Sequence, residues 1–107
     1  MLSVSERSAA AEVLRTAERD RKQATQLSTR WPRITFEDAY AISSEVNQQK
    51  IAGGAKLIGY KVGLTSKAMQ RSSQIEEPDY GYLLDCMMIP DAGKVRRQDY
   101  CVPRVEG

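Results

Sequence analysis

The amino-acid sequence predicts an α+β fold in which two N-terminal helices pack on a few short β-strands. In the first half of the chain, small and apolar residues recur at intervals of three, four and seven, which is typical of amphipathic helices. In the second half, short apolar runs alternate with turns rich in proline, glycine and aspartate, which is typical of strands. A chain of 107 residues has room for one domain at most.

Composition narrows the classes of function. The 16 basic and 14 acidic residues give a net charge of +2, which is too balanced to indicate binding to nucleic acid or to a membrane surface. The chain has no histidine, so acid/base chemistry falls to Lys, Asp, Glu, Tyr or Cys. It shows no leader pattern and no apolar run of membrane-spanning length, so we expect a cytoplasmic protein. Cys86 and Cys101 are expected to be free, partly buried thiols.

The first helix is predicted over residues 3–27. Ser3 or Ser5 can cap its N-terminus, and the charges on its polar face alternate in sign, as on a solvated surface. Pro32 disfavours helical geometry at Trp31 and ends any continuation of this helix. We expect Trp31, the only tryptophan, to pack between the two helices.

The second helix is predicted to begin at Thr35. Thr35 and Asp38 have the spacing of a capping box, with Asp in place of the usual Glu or Gln. Apolar residues follow at helical spacing, and Gly53 and Gly54 end the helix.

A strand predicted over residues 56–64 carries a candidate functional residue. Lys61 shares one face of this strand with Gly59 and Gly63, which leave space around its ammonium group. Glycines inside a strand suggest the close approach of another backbone or of a ligand. The alternative is a solvent-facing strand with a solvated lysine.

A carboxylate follows on a tight turn. After a short helix predicted over residues 66–73, residues 76–81 form a turn that presents Asp79. This carboxylate either transfers a proton or caps the turn through an Asx-type hydrogen bond. A strand-borne lysine and a turn-borne carboxylate are the parts of an acid/base site.

The remaining residues are predicted to form two further strands. Residues 83–89 have the composition of a buried strand, with Met87 and Met88 as core residues. Residues 94–102 have the composition of a polar edge strand.

Four segments carry a resemblance to a known family. They are IGYKVGLTSKAMQ at 58–70, SSQI at 72–75, EPDYG at 77–81 and ITFEDAYA at 34–41. Together they resemble the 2-oxohept-4-ene-1,7-dioate hydratases, which are grouped with 2-keto-4-pentenoate hydratases and 4-oxalocrotonate decarboxylases in the fumarylacetoacetate hydrolase superfamily. The resemblance implies the N-terminal part of a mixed β-roll fold, with a helical region over residues 1–55 and an incomplete catalytic domain from 56 to 107.

The resemblance also implies an activity and a site. It implies a metal-dependent hydratase that adds water to a 2-oxo-alkenedioate in homoprotocatechuate catabolism, acting on a small-molecule substrate as a homo-oligomer. Lys61 and Asp79 match its catalytic residues. Lys61 also matches a substrate-binding group that includes Leu64, Thr65 and Ser66.

A divalent metal, Mg²⁺ or Mn²⁺, is implied as the cofactor of the intact enzyme. Three acidic residues hold it in the family, and residues 103–106 (PRVE) match the segment that introduces the first, which makes Glu106 the candidate ligand. The other two ligands have no counterpart, and one carboxylate does not fill the octahedral oxygen shell of Mg²⁺. We therefore expect this chain to be an N-terminal fragment that binds no metal and is inactive alone.

Three alternative functions remain open. A 4-oxalocrotonate-type decarboxylase or a 2-keto-4-pentenoate hydratase is the alternative within the same group, and no residue of this chain decides between the hydratase and the decarboxylase. A non-catalytic interaction module, or a subunit that pairs with a separate catalytic chain, is the alternative from a different class.

Overall fold

The structure is a computed structural model that describes residues 1–106. Its helices and strands, in order, are α1 (Val4–Asp20), α2 (Leu27–Arg30), α3 (Phe36–Ala52), β1 (Leu57–Gly63), α4 (Lys67–Ser73) and β2 (Asp79–Leu84). Two short 3₁₀ turns follow, at Asp85–Met87 and Arg97–Asp99. Helices and a two-stranded antiparallel sheet confirm the α+β class. The β-roll and the packing of helices on strands stay predictions.

The contacts divide the chain into two compact units. We call Met1–Gln49, together with the described residues from Ile89 onward, the helical unit. Lys50–Met88 form the hairpin unit. The predicted domain boundary after residue 55 remains a prediction.

Helix α1 begins as the sequence predicts and ends earlier. The Ser3 hydroxyl accepts a hydrogen bond from the Glu6 N–H, and the Glu6 carboxylate accepts one from the Ser3 N–H at 2.8 Å. The helix ends at Asp20 because Arg21 adopts the left-handed conformation, with φ 55°, and its N–H bonds back to the last turn. The predicted extension to residue 27 is therefore wrong, and Leu27 belongs instead to α2.

The core of the helical unit lies between α1 and α3. Its buried members are Leu2, Ala10, Ala11 and Ile42, and the side chains packed against them are Leu14, Leu27, Trp31, Ile34 and Val46. The position of Trp31 confirms the prediction that it packs between the two helices. Ile42 is only 1% exposed, and burying a side chain of this size contributes about 1.5–3 kcal/mol.

A buried carboxylate joins the N-terminal segment to α3. Asp38 accepts hydrogen bonds from the Leu2 N–H, from the Arg7 guanidinium at 2.9 Å, and from both the N–H and the hydroxyl of Thr35. The Asp38 N–H donates to the Thr35 hydroxyl at 3.1 Å, which confirms the predicted capping box. Burial alone would raise the pKa of Asp38, but the hydrogen bonds from Thr35, Arg7 and Leu2 outweigh it and hold that pKa well below its ordinary value.

The hairpin unit is built on the pairing of β1 with β2. Lys61 lies opposite Gly81 and Gly63 opposite Asp79, and the register shifts between Leu57 and Gly59. Because side chains alternate along paired strands, the hairpin has two faces. We call one the glycine face, formed by Gly59, Lys61, Gly63, Asp79, Gly81 and Leu83. The other is the tyrosine face, formed by Tyr60, Val62, Tyr80 and Tyr82.

Strand β2 ends just before Asp85, whose side chain, in place of a backbone carbonyl, accepts a hydrogen bond from the neighbouring strand segment. The Asp85 N–H donates to the Lys56 carbonyl, and the Asp85 carboxylate accepts from the Lys56 N–H, both at 2.9 Å. The chain then turns through Asp85–Met87, so the predicted strand over residues 83–89 is wrong beyond Leu84. Met87 and Met88 are 46% and 67% exposed, so they are not core residues in this structure.

The last predicted strand, over residues 94–102, is a 3₁₀ turn at Arg97–Asp99 with irregular flanks. Arg96 makes two hydrogen bonds to the Asp99 carboxylate, at 3.1 and 3.3 Å, and this contact three residues apart favours a turn over an extended strand. Cys86 and Cys101 are free, as predicted, but they are exposed rather than partly buried. Within residues 1–106, no helix is both long and apolar enough to cross a membrane.

Candidate functional site

Lys61 lies in the middle of β1, on the glycine face. Its partner across the ladder is Gly81, which offers no side chain to pack against the lysine stem. A Cβ built at Gly81 would meet no atom of the described chain within 4 Å. The Lys61 side chain is exposed, and the space beside it is open.

Asp79 begins β2 and lies across the ladder from Gly63. Its carboxylate oxygen lies too close to Gly63 for a Cβ to be added there unless the carboxylate moves. Gly63 therefore permits this close approach, as expected for a glycine inside a strand. The approaching group is a side chain of the neighbouring strand.

The hairpin places Lys61 and Asp79 on the same face. They are diagonal neighbours in the antiparallel ladder, a relation in which the two residues lie about 7–8 Å apart. Long side chains can interact across such a diagonal. The structure therefore brings together the two residues that the sequence singled out for acid/base chemistry.

The segment Leu64–Thr65–Ser66 forms the turn from β1 into α4. Leu64 has a φ of 52°, a left-handed conformation that is uncommon for a residue with a bulky side chain. The Ser66 hydroxyl accepts a hydrogen bond from the Met69 N–H at 3.1 Å and caps α4. These three candidate substrate-binding residues therefore follow Gly63 directly in a defined turn.

Gln70 is a residue that the sequence reasoning missed as a contributor to this region. It is only 6% exposed, and its amide donates a hydrogen bond to the Leu64 carbonyl at 2.8 Å. The sequence gives little sign of this role, since a glutamine seven residues after the end of a strand is usually a solvated helix residue.

Glu106, the candidate metal ligand, is exposed. Within residues 1–106, no group of three or more His, Cys, Asp or Glu side chains could hold a metal ion. The residues that the structure describes therefore do not form a divalent-metal site.

A separate groove lies along α4 in the hairpin unit. It has a volume of about 590 Å³ and is lined by Lys67, Gln70, Arg71, Gln74, Ile75 and Glu76. Lys61 and Asp79 do not line it, so the groove and the glycine face are different surfaces of this unit.

Comparisons with known proteins bear on this geometry. No family model matches the chain. Among individual proteins, the chain is 51% identical over 96 residues to the 2-oxo-hept-4-ene-1,7-dioate hydratase of Escherichia coli, across 90% of this chain and 36% of that protein. It is 37% identical over 98 residues to a 4-oxalocrotonate decarboxylase of Pseudomonas sp. strain CF600. The resemblance to this group of enzymes is confirmed.

A solved member of the hydratase and decarboxylase group has the same fold over the shared region. The 4-oxalocrotonate decarboxylase from Pseudomonas putida G7, complexed with calcium and acetate, superposes with a TM-score of 0.83 at 35% identity. The match covers 87% of this chain and 36% of the decarboxylase. A second structure of that enzyme, complexed with magnesium and adipate, gives a TM-score of 0.80.

The extent of these matches limits what they say about the site. This chain spans 36% of the length of the E. coli hydratase and 37% of the CF600 decarboxylase. An alignment of 96 residues within a chain of 107 necessarily includes Lys61, the turn at residues 64–66 and Asp79. These candidate residues thus lie inside the region shared with the hydratase and decarboxylase group.

Proposed function

We propose that the protein containing this chain is a hydratase that adds water to the carbon–carbon double bond of a 2-oxo-alkenedioate, with 2-oxohept-4-ene-1,7-dioate as its substrate. The observation that carries the proposal is the 51% identity to the E. coli hydratase over 96 residues, which exceeds the 37% identity to the CF600 decarboxylase over a similar length. The proposal concerns the whole protein.

Lys61 and Asp79 are the residues that we assign to the chemistry. A 2-oxo-alkenedioate carries two carboxylates, and negative charge develops on its 2-oxo oxygen when a proton is removed from C3 or when water adds to a double bond conjugated with the oxo group. The Lys61 ammonium group would pair with a negatively charged oxygen of the substrate, where it favours the charge that develops. The Asp79 carboxylate would hold or transfer a proton on the same face of the hairpin. The diagonal placement of Lys61 and Asp79 across β1 and β2 supports these two roles.

The turn at Leu64, Thr65 and Ser66 is assigned to substrate binding. It directly follows Gly63, which lies opposite Asp79, so a substrate on the glycine face would lie beside this turn. The glycines of this face leave room for the substrate backbone next to Lys61.

We further propose that the whole protein requires a divalent cation, with Glu106 as one of its ligands and Mg²⁺ as the ion. The support is that solved structures of a similar decarboxylase contain calcium or magnesium. Because residues 1–106 do not form a metal site, the remaining ligands would come from elsewhere in the protein, and this chain by itself is expected to be inactive.

The test of the proposal is a turnover assay on the full-length protein. Purified protein with Mg²⁺ is mixed with 2-oxohept-4-ene-1,7-dioate, and absorbance of its conjugated dienol and 3-ene tautomers is followed together with product mass. We expect absorbance to fall at an enzymatic rate and the product to contain one added water. Chelation should abolish the reaction and Mg²⁺ should restore it, whereas an undiminished rate after chelation would reject the metal requirement.

A decarboxylase is the second candidate, because the fold matches that of a 4-oxalocrotonate decarboxylase with a TM-score of 0.83. In that case a carbon–carbon bond breaks and carbon dioxide leaves, and no water is added. Incubation with 4-oxalocrotonate and detection of carbon dioxide distinguishes the two. Release of carbon dioxide without any hydration of the seven-carbon substrate would replace the hydratase proposal.

A further inference from the structure

Gln70 is a buried polar residue whose side chain is fully engaged within the hairpin unit. Most glutamines lie in solvent, and a buried amide is retained where its donors and acceptors find partners. Gln70 lies on α4 and is 6% exposed, while its neighbours Met69 and Arg71 are exposed. The helix therefore turns this amide inward.

The Gln70 amide is hydrogen-bonded to the turn that precedes α4. Its Nε2 donates to the Leu64 carbonyl at 2.8 Å, a short and favourable distance. Its Oε1 lies 3.4 Å from the Lys67 ammonium nitrogen, which is a weaker contact. The stronger of the two bonds thus spans from the second turn of the helix to the end of β1.

Leu64, which accepts this bond, is the residue of the turn with the unfavourable backbone conformation. A left-handed φ costs a bulky residue free energy, and such a conformation persists only where the surrounding structure holds it. The hydrogen bond from Gln70 restrains the carbonyl of this very residue. The Ser66 cap restrains the other end of the turn.

We propose that Gln70 is a positioning residue, which holds Leu64 in its left-handed conformation and thereby holds the turn at Leu64–Ser66 in the shape that binds substrate. The proposal rests on the hydratase function proposed above and deepens it. The residues of the turn would touch the substrate, whereas the buried Gln70 amide would act on the substrate only through the turn. Lys61 and Asp79 are not involved.

The test uses the full-length protein and a pair of matched substitutions. Gln70→Met removes both polar contacts and keeps an unbranched side chain that favours helix. Gln48→Met is the control, because Gln48 is an exposed glutamine of α3. Gln70→Glu is the second variant, since it keeps the size and the acceptor for Lys67 and loses the amide donor when ionised.

The first measurement does not depend on activity. NMR backbone shifts and the HN–Hα coupling of residue 64 report its φ. We expect Gln70→Met to shift these signals away from the left-handed values and Gln48→Met to leave them unchanged. Retention of the left-handed signature in Gln70→Met would overturn the proposal, whatever Gln70→Glu shows.

The second measurement is kinetic and uses a double-mutant cycle. Loss of the bond should raise KM by roughly tenfold with a smaller change in kcat, because the turn binds substrate. Asn adopts the left-handed conformation more readily than Leu, so in a Leu64→Asn background we expect Gln70→Met to raise KM by less than about threefold. An equal rise in both backgrounds would mean that Gln70 acts through something other than the turn.

The failures of the two proposals are distinguishable. If unmodified protein hydrates the substrate and KM is unchanged in Gln70→Met although residue 64 has lost its signature, the claim that the left-handed turn binds substrate is rejected and the hydratase proposal stands. If unmodified protein does not hydrate the substrate, the hydratase proposal is rejected together with the substrate-binding part of this one.

Discussion

The helical unit and the hairpin unit contain carboxylates in opposite situations. Asp38 in the helical unit is fully buried, and both its oxygens accept hydrogen bonds from Leu2, Arg7 or Thr35. Asp79 in the hairpin unit is exposed and lies over a glycine on the same face as Lys61. A carboxylate surrounded by hydrogen-bond donors of its own chain stabilises the fold, whereas an exposed carboxylate beside open space can contact a ligand. The candidate site is therefore distinguished by a carboxylate that a ligand can reach.

The largest expected effect is a loss of catalytic rate when Lys61 of the hairpin unit is replaced. We expect Lys61→Ala in the full-length enzyme to lower kcat by at least about tenfold, because an ammonium group opposite a developing charge is lost. The thermal midpoint should hardly change, since the side chain is exposed. Steady-state kinetics and a thermal melt measure the two effects.

Lys56→Ala is the control for that experiment. Lys56 is also exposed and lies just before β1, and its contacts to Asp85 are made by the backbone. We expect its kinetics to match those of the unmodified enzyme. Unchanged kinetics in Lys61→Ala would remove Lys61 from the mechanism.

The next effect concerns stability in the helical unit. We expect Asp38→Asn to lower the thermal midpoint by at least about 5 °C, because the amide NH₂ would face the N–H and hydroxyl donors of Thr35 or those of Leu2 and Arg7. Differential scanning calorimetry measures the shift.

Asp20→Asn is the matched substitution at an exposed site, where the carboxylate contacts Arg19 at 3.4 Å. An exposed ion pair contributes little, so we expect a shift of less than about 2 °C. Equal shifts in the two variants would contradict the structural role of Asp38.

A smaller effect on activity tests the close approach of Asp79 to β1. We expect Gly63→Ala to lower kcat by about threefold to tenfold, because the new methyl group displaces the Asp79 carboxylate from its place. The carboxylate is the end of a flexible side chain, so the stability cost should be small. Kinetics and a melt on the same preparation separate the two.

Gly59→Ala is the control, because it adds a methyl group to β1 at a position away from Asp79. Its nearest atom would be Leu83 Cδ1 at 4.0 Å, which is ordinary contact. A crystal structure should therefore show Asp79 displaced in Gly63→Ala and in place in Gly59→Ala. Displacement of Asp79 in neither variant would show that the contact is dispensable.

The smallest effect is a pH dependence that follows from the lowered pKa of Asp38. Because the folded-state pKa lies below the ordinary value of 3.8, the ionised carboxylate adds stability above about pH 4 and this contribution is lost as pH falls further. Glu6 adds to the same trend, since its hydrogen bonds with Ser3 lower its pKa. The gap in thermal midpoint between the unmodified protein and Asp38→Asn should therefore narrow below pH 4. A gap that widens there would contradict the sign.

The sequence predicts local features well because their causes are local. The caps at Ser3 and Thr35 depend on residues three positions apart, and both form as predicted. Lys61 and Asp79 were identified because a charged residue next to glycines, and an acid in a turn, stand out in a sequence. That they share one face depends on strand register, which the sequence pattern alone does not give.

The features that escaped prediction depend on contacts between distant or unusual partners. The left-handed Leu64 is held by Gln70, and leucine gives no hint of that conformation. The end of β2 is set by Asp85 bonding to Lys56, far away in sequence, so the apolar run that follows predicts a longer strand than the structure forms. In the last segment, the pairing of Arg96 with Asp99 outweighed an extended pattern.

The aromatic residues make the two units optically distinct. Trp31, the only tryptophan, packs in the core of the helical unit, and its indole fluorescence reports on that unit. On the tyrosine face, the ring of Tyr60 lies edge-on to those of Tyr82 and Tyr80, at centroid distances of 5.4 and 6.5 Å. Coupled phenol rings in fixed geometry give near-ultraviolet circular dichroism that disappears when the hairpin opens. Trp31, Tyr40 and Tyr100 of the helical unit also contribute to this circular dichroism, so a titration read at both signals compares the helical unit with the whole chain. Coincident midpoints would mean that the two units melt as one cooperative body.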